Sequence, residues 1–176
     1  DDTDSVKGNC TTFLATEIIR ELTIDLDLIG YPRLVRLNPA TPWKTRGNAS
    51  LVMRFGRGRG VKHLVGRIDG RDIHCYESCT STDIDEEEYL ERIVPLIEAN
   101  HEPDADPGLL VSRTRPSQSF YWRGVRTIMR REDIDAEVRR IGARTFTIGN
   151  GRGLIGATCG MAWRPHDRTY ELLAYR

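Results

Sequence analysis

Leu14, Ile18 and Leu22 recur at i, i+4 and i+8, the spacing that lines apolar side chains along one helix face. The pattern predicts a helix over residues 11–22, with Asn9 or Thr11 able to cap its start. A strand is expected over 31–37. Residues 38–48, NPATPWKTRGN, read as a loop, because Pro39 and Pro42 exclude regular structure and Gly47-Asn48 favours a turn. The period then shortens to two. Leu51, Met53 and Phe55 alternate in a strand over 50–55, and a second strand is expected over 61–68. FGRGRG, residues 55–60, reads as a glycine-rich turn between them. A third strand over 71–76 follows Asp69-Gly70, a dipeptide suited to a tight hairpin turn.

Ile84, Ile93, Val94 and Ile97 form the apolar stripe of a helix expected over 83–99. Its first turns hold Asp83, Asp85, Glu86, Glu87 and Glu88. Negative charge there complements the helix dipole, so this run reads as a helix start rather than a site. After a loop over 101–108, the pattern gives a strand at 109–113, helices at 118–130 and 134–141, and a strand at 145–148. A small-residue helix at 152–161 and a last strand at 170–175 complete it. Strands and helices mix without strict alternation, which favours an α+β fold.

A chain of 176 residues can bury a real core. Its 26 basic and 26 acidic residues cancel, so bulk charge argues neither for nor against a nucleic-acid partner. No apolar run is long enough to span a membrane and no signal peptide is visible, which fits a cytoplasmic protein. Cys10, Cys75, Cys79 and Cys159 are too sparse for a disulfide scaffold. Cys75 and Cys79 lack a second Cys/His pair with zinc spacing, so reduced thiols are the expectation.

The chemistry concentrates at the start, DDTDSVKGNCTT. Asp1, Asp2 and Asp4 would repel one another unless a cation sat among them. Mg²⁺, with its preference for hard oxygen ligands and phosphate, is the natural one; a frayed acidic terminus is the alternative. Thr11 and Thr12 stand where helix amides have no intrahelical partner and an anion is favoured. Thr11 could take a phosphoryl group if a nearby aspartate activated it, or could simply cap the helix. Lys44 and Arg46, at i and i+2 in the loop, could grip phosphate oxygens together with Gly47 and Asn48.

GNGRGLIGA, residues 149–157, places Gly151, Gly153 and Gly156 in a G-x-G-x-x-G spacing, with Glu171 twenty residues past Gly151. This imitates a dinucleotide-binding turn. The glycines lie at the end of the chain without a following βα unit, and Glu171 falls near the start of its strand rather than its end. A phosphate-approaching loop holding Gly151, Arg152 and Gly153, or a helix packed closely on a sheet, fits better. Arginines also gather at Arg54, Arg57 and Arg59, and at Arg123, Arg126, Arg130 and Arg131 beside Phe120, Tyr121 and Trp122. Tyr121, Val125 and Ile128 fit a core stripe, leaving the arginines open for RNA.

Several stretches together resemble one family. They are DDTDS-x-x-G-x-C-T-T, the G-x-P-R-L-x-R-L-N-P of 30–39, the P-W-K-T-R-G-N of 42–48, Phe120-Tyr121-Trp122, G-N-x-R-G-L-I-G-A and the terminal 170–176. They resemble the archaeal tRNA(Ile) 2-agmatinylcytidine synthetase family, in order from the first residue to the last. The resemblance implies an ATP- and Mg²⁺-dependent ligase that joins agmatine to C2 of the wobble cytidine in an isoleucine tRNA with a CAU anticodon, through a phosphorylated cytidine. It implies a kinase-like α/β domain, residues 1–48 plus 114–176, interrupted by a ferredoxin-like insertion at 49–113. It makes Asp1, Asp2 and Asp4 the Mg²⁺ ligands, Thr11 the autophosphorylated residue, and Lys44 and Arg46 the neutralisers of transferred charge. The family's OB-fold and zinc ribbon are expected beyond residue 176, so the chain reads as a catalytic core. For agmatine, Asp104, Asp106 and Trp122 are candidates. The competing readings are a non-catalytic RNA-binding module and a nicotinamide-dependent oxidoreductase built on Gly151–Gly156.

Overall fold

The computed structural model describes residues 1–45, 47–80 and 85–169. Five helices and seven strands alternate irregularly along them. They are α1 (Thr11–Leu22), β1 (Asp27–Ile29), β2 (Arg33–Arg36), β3 (Ala49–Val52), β4 (Phe55–Ile68), β5 (Arg71–Thr80), α2 (Glu86–Ala99), β6 (Gly108–Val111), α3 (Gln118–Arg126), α4 (Glu132–Arg140), β7 (Arg144–Thr147) and α5 (Gly153–Ala162). The fold is mixed α and β. Arg46 and the expected strand over 170–175 lie outside the described residues, as do residues 81–84 at the expected start of α2.

The strands pair in three groups. β2 and β3 are antiparallel, as are β6 and β7. β1 pairs antiparallel with the start of β4 and parallel with β5, while β4 and β5 form a long hairpin. Asp69 and Gly70 both take positive φ at its turn (50° and 79°), the conformation that dipeptide favours.

Two buried clusters hold the layers together. Leu14, Ile18, Leu22, Tyr89, Ile93 and Ile97 join α1 to α2. Val35, Leu37, Tyr121, Ile134, Leu154 and Cys159 join β2 to α3, α4 and α5. Ile134 and Leu154 are wholly buried, and each contributes roughly 1.5–3 kcal/mol of transfer free energy. The apolar stripe read for α1 is therefore the stripe that packs. Helix α5 packs on both β3 and β6. An apolar cavity of about 370 Å³ opens between β3 and β6, lined by Leu51, Met53, Leu109, Leu14 and Ile93 among others.

Three expectations change. FGRGRG is strand, not turn. An added Cβ at Gly58 would stand 2.3 Å from the Tyr76 ring, and Asp27 Oδ2 accepts the Gly58 N–H at 2.7 Å. The glycines let a neighbouring ring and strand approach, and Gly60, with φ 89°, marks a bulge where the register shifts between Arg59 and Lys62. Helix α3 ends at Arg126 rather than 130. Strand β1 has no counterpart among the expected elements, although Leu26, Leu28 and Ile29 are deeply buried.

The segment 49–113, expected as a ferredoxin-like insertion, is shared out among layers completed by residues outside it. Its β3 pairs with β2, its β6 pairs with β7, and its α2 packs on α1.

Candidate active site

Asp1 sits where three elements meet. Its carbonyl accepts the Gly108 N–H at 3.0 Å, its nitrogen donates to the Gly108 carbonyl at 2.9 Å, and its Oδ1 accepts the Asp2 N–H at 2.9 Å. An added Cβ at Gly156 would stand 1.5 Å from Asp1 Oδ2. Glycine at that position is what lets the carboxylate lie on the first turns of α5, where the helix dipole favours it. Asp2 takes positive φ, 62°, a conformation uncommon outside glycine.

The Asp2 carboxyl is pushed up to about 6, first by burial, then by the nearby Asp106 carboxylate. The folded state holds this proton to a higher pH than the unfolded chain does. Asp2 therefore costs stability as pH rises from about 4 to about 6, and the cost stays above that. A cation beside it would relieve the cost.

Thr11 opens α1 at the same place. Its hydroxyl lies 3.5 Å from Asp4 Oδ1 and accepts the Thr3 hydroxyl at 3.1 Å, with Thr3 almost wholly buried. The N-cap residue, Cys10, makes no side-chain hydrogen bond to the first-turn amides, and Cys10, Thr11 and Thr12 at that end of the helix line the cleft. Thr12 Oγ1 is engaged with Cys10 Sγ at 2.8 Å.

The loop after β2 forms the opposite wall. Thr45 Oγ1 donates to the Asp4 carbonyl at 3.2 Å and ties the loop to the aspartates. Asn48 uses its side-chain amide to close the loop, donating to the Asn38 carbonyl and to Thr41 Oγ1, both at 3.0 Å. Lys44 donates to the Pro39 carbonyl. Arg152 is held in its own way: its Nε donates to Asp106 Oδ2 at 2.9 Å, and its guanidinium lies 5.1 Å over the Trp43 ring. Asp106 also accepts the Asn150 N–H at 2.9 Å. Burial pushes the Asp106 carboxyl up, but the Asn150 amide and the Arg152 guanidinium together outweigh it and hold the group below the usual carboxylate range.

These walls enclose a cleft of about 220 Å³. Of the residues expected from sequence, Asp1, Asp2, Asp4, Thr11, Lys44, Gly47, Asn48, Arg152 and Gly153 all line it. Arg46 lies outside the described residues. Gly151 does not line the cleft; it takes φ 73° and faces Thr147 and Arg131, so its part is to turn the chain into α5. Thr3, Thr45, Trp43 and Arg36 were missed as cleft-building residues, although Trp43 and Thr45 stand inside PWKTRGN, and Asp106 was expected only as a candidate for agmatine. Of the agmatine candidates, Asp104 is paired with Lys7 and Asp106 with Arg152, while Trp122 packs on Tyr121 and under Arg126.

Among the described residues no three His, Cys, Asp or Glu side chains come close enough to hold a metal ion by themselves. Mg²⁺ does not need such a cage. It binds through one or two carboxylates and completes its shell with water and phosphate oxygens. The half-buried Asp2 carboxylate, repelled by its neighbours, and the Asp4 carboxylate beside the Thr11 hydroxyl are hard oxygen donors that fit it, while the α1 N-terminus suits the phosphate that would share the ion.

Residues 1–150 match the family model described as the TiaS TCKD domain. The chain belongs to the TiaS family. Residues 151–176 match the model of the TiaS FLD domain, so the two matches divide the chain after residue 150 and do not mark off 49–113. The tRNA 2-agmatinylcytidine synthetase TiaS of Thermoplasma volcanium is 37% identical over 183 residues, covering all of this chain and 40% of that protein. Its counterpart from Methanocorpusculum labreanum is 35% identical, again over the whole chain and 37% of the relative. The chain thus spans about two fifths of the length of these TiaS relatives. Among solved structures, it is similar to a tRNA fluorescent labeling enzyme (TM-score 0.73, 25% identity, 95% of this chain and 35% of that one). It is also similar to TiaS in a complex of that enzyme with tRNA and ATP (TM-score 0.72, 25% identity, 95% and 36%).

Proposed function

We propose that this chain is the ATP-binding catalytic part of a tRNA-modifying ligase that joins agmatine to C2 of the wobble cytidine in a CAU-anticodon isoleucine tRNA. The observation that carries the reading is the gathering of Asp1, Asp2, Asp4 and Thr11 with Lys44 and Arg152 around one cleft. Its named TiaS relatives, and the crystallised complex of TiaS with tRNA and ATP, support the substrate class.

Thr11 is the phosphoryl acceptor in this reading. The Thr3 hydroxyl donates to Thr11 Oγ1 and orients it, and the Asp4 carboxylate accepts the Thr11 proton as the oxygen attacks the γ-phosphorus. The 3.5 Å separation is within what tightens when substrate binds. The P–O bond to the leaving diphosphate breaks as the new one forms. One or two of Asp1, Asp2 and Asp4 would hold Mg²⁺, with water and phosphate oxygens completing its shell, and it would supply charge neutralisation on those phosphate oxygens. Lys44 and Arg152 add positive charge on the facing wall, and the α1 amides favour the transferred anion. A phosphoryl group passed from ATP to the C2 oxygen of the cytidine turns a poor leaving group into phosphate, which departs as the agmatine amine bonds to C2 and gives up a proton.

We read the kinase-like unit as running through residues 1–150, where the family model matches and the strands interlock, rather than as flanking a separate unit at 49–113. No helix among the described residues is long and apolar enough to cross a membrane. A tRNA substrate is the reason we read the protein as cytoplasmic. The OB-fold and zinc ribbon of the family are read as supplying tRNA recognition.

The test is incubation with ATP and Mg²⁺ followed by mass spectrometry of the intact protein and its peptides. One phosphate on Thr11, lost in Thr11→Val and partly kept in Thr11→Ser, is the expected result. Phosphate on Thr12 instead, or none with ATP bound, overturns the role of Thr11.

A further inference from the structure

Helix α5 has ten residues, so its two ends lie about 15 Å apart. The active cleft is at its N-terminal end. Four arginines converge at the other. Arg33 opens β2 opposite Val52, the last residue of β3, and Arg54 follows two residues later. Arg115 precedes α3, and Arg164 follows α5.

Two of the four are fixed in place by neutral groups. Arg164 Nη1 donates to the Ala162 carbonyl at 2.6 Å and its Nη2 to the Pro116 carbonyl at 2.8 Å. The Arg33 guanidinium lies 5.0 Å over the Trp163 ring. Carbonyls and a ring face satisfy geometry and direction, but they leave the positive charge uncancelled. Among the described residues none of the four makes an ion pair with a carboxylate. The carboxylates at this end are committed elsewhere. Asp167 accepts the Arg164 main-chain N–H at 2.8 Å and the Gln118 amide, and Glu86 faces Arg113 at 3.6 Å.

This arrangement has a cost. Arg115 is held below the ordinary arginine range, first by burial, then by the charges of Arg54, Arg164 and Arg33. Like charges gathered around a partly buried guanidinium are tolerated when an anion completes the set. Arginine forks match phosphate oxygens.

We propose that Arg33, Arg54, Arg115 and Arg164 form a phosphate-binding site, separate from the ATP cleft, that holds the backbone of an RNA. Calling that RNA the tRNA substrate rests on the function proposed above; the phosphate site does not. Two or three backbone phosphates spanning this end would fix the RNA's position while leaving its bases unread.

The experiment is fluorescence anisotropy of the whole chain with a fluorescein-labelled CAU-anticodon isoleucine tRNA transcript, between 50 and 200 mM salt (roughly the range over which counterion release is large). An Arg54→Gln/Arg115→Gln variant is compared with wild type, after circular dichroism shows equal folding. Binding is expected to weaken by about tenfold, and the salt slope to shrink by about 1–2, while ATP affinity by calorimetry stays unchanged. Arg33→Gln, which leaves Arg115 in place, should lose a smaller share. Unchanged affinity and slope in both variants overturn the site, as does displacement by poly-glutamate at the same charge concentration as the transcript. If Thr11 fails to label with ATP while the variants still lose RNA binding, the ligase reading falls and the phosphate site stands.

Discussion

The two ends of α5 carry opposite charge and resolve it differently. At the N-terminal end, Asp1, Asp2 and Asp106 crowd the first turn, and Arg152 is already paired with Asp106. At the C-terminal end, four arginines meet carbonyls and an indole ring but no ion-paired carboxylate among the described residues. Both signs suit the helix dipole. The difference is that the acidic end holds one internal counter-charge, Arg152, and lacks only a cation, whereas none of the four arginines at the basic end is ion-paired with a carboxylate among the described residues. A helix that separates an acidic cleft from a basic patch can present a nucleotide at one end and anchor a polyanion at the other.

The comparison breaks most sharply at Asp4. Asp4→Asn is expected to lower Thr11 phosphorylation by about 10²–10⁴-fold and to leave thermal unfolding unchanged. Normal labelling would remove Asp4 from the proton path. Next comes Gly156→Ala, whose new Cβ would collide with Asp1 Oδ2. Displacing that carboxylate should weaken ATP–Mg²⁺ binding by about a hundredfold, with about 1–3 kcal/mol lost from the fold. Calorimetry and a urea titration read the two effects separately, and a tolerated alanine would show that Asp1 can move.

A smaller effect tests the paired charges. Asp106→Asn removes the partner of Arg152 and should cost about 1–3 kcal/mol at neutral pH. Because the folded Asp106 carboxyl sits below its ordinary value of 3.8, its contribution is complete above that pH and disappears as pH falls through the lower folded value. The stability gap between wild type and variant should therefore close in acid; a gap independent of pH would assign the loss to packing. The smallest effect belongs to the basic end. Arg115→Gln should leave stability within about 0.5 kcal/mol of wild type in dilute salt, or slightly above it, since a repelled charge has been removed. A large loss would mean that Arg115 is structural.

Much of this was legible in the sequence. The i, i+4, i+8 stripe of α1, the acidic first turn of α2 and the Asp69-Gly70 turn all report local rules, and the structure follows them. The cleft was legible as a set of residue types, because carboxylates, a helix-start threonine and a loop lysine have few joint uses. The part Asp106 plays was not: the sequence makes it only a candidate for agmatine, and nothing in HEPDADPG says which of its three acids folds under Arg152. FGRGRG misled for a related reason. Glycine marks both turns and close approaches, and which one applies depends on Tyr76, eighteen residues past Gly58 and across a strand pair.

What the sequence by itself determined were local matters: which segments are helical, where chains turn, which acids and cations exist, and the family to which their order points. Tertiary structure decided which of them meet. It put Gly156 under Asp1, set Arg152 between Asp106 and Trp43, and drew Arg33, Arg54, Arg115 and Arg164 to one end of α5. It also spread residues 49–113 over layers shared with the rest of the chain. The physical reason is range. Helix propensity, capping and turn geometry act within a few residues, whereas charge pairing, burial and close backbone approach depend on distances in space, which are set only when the layers pack.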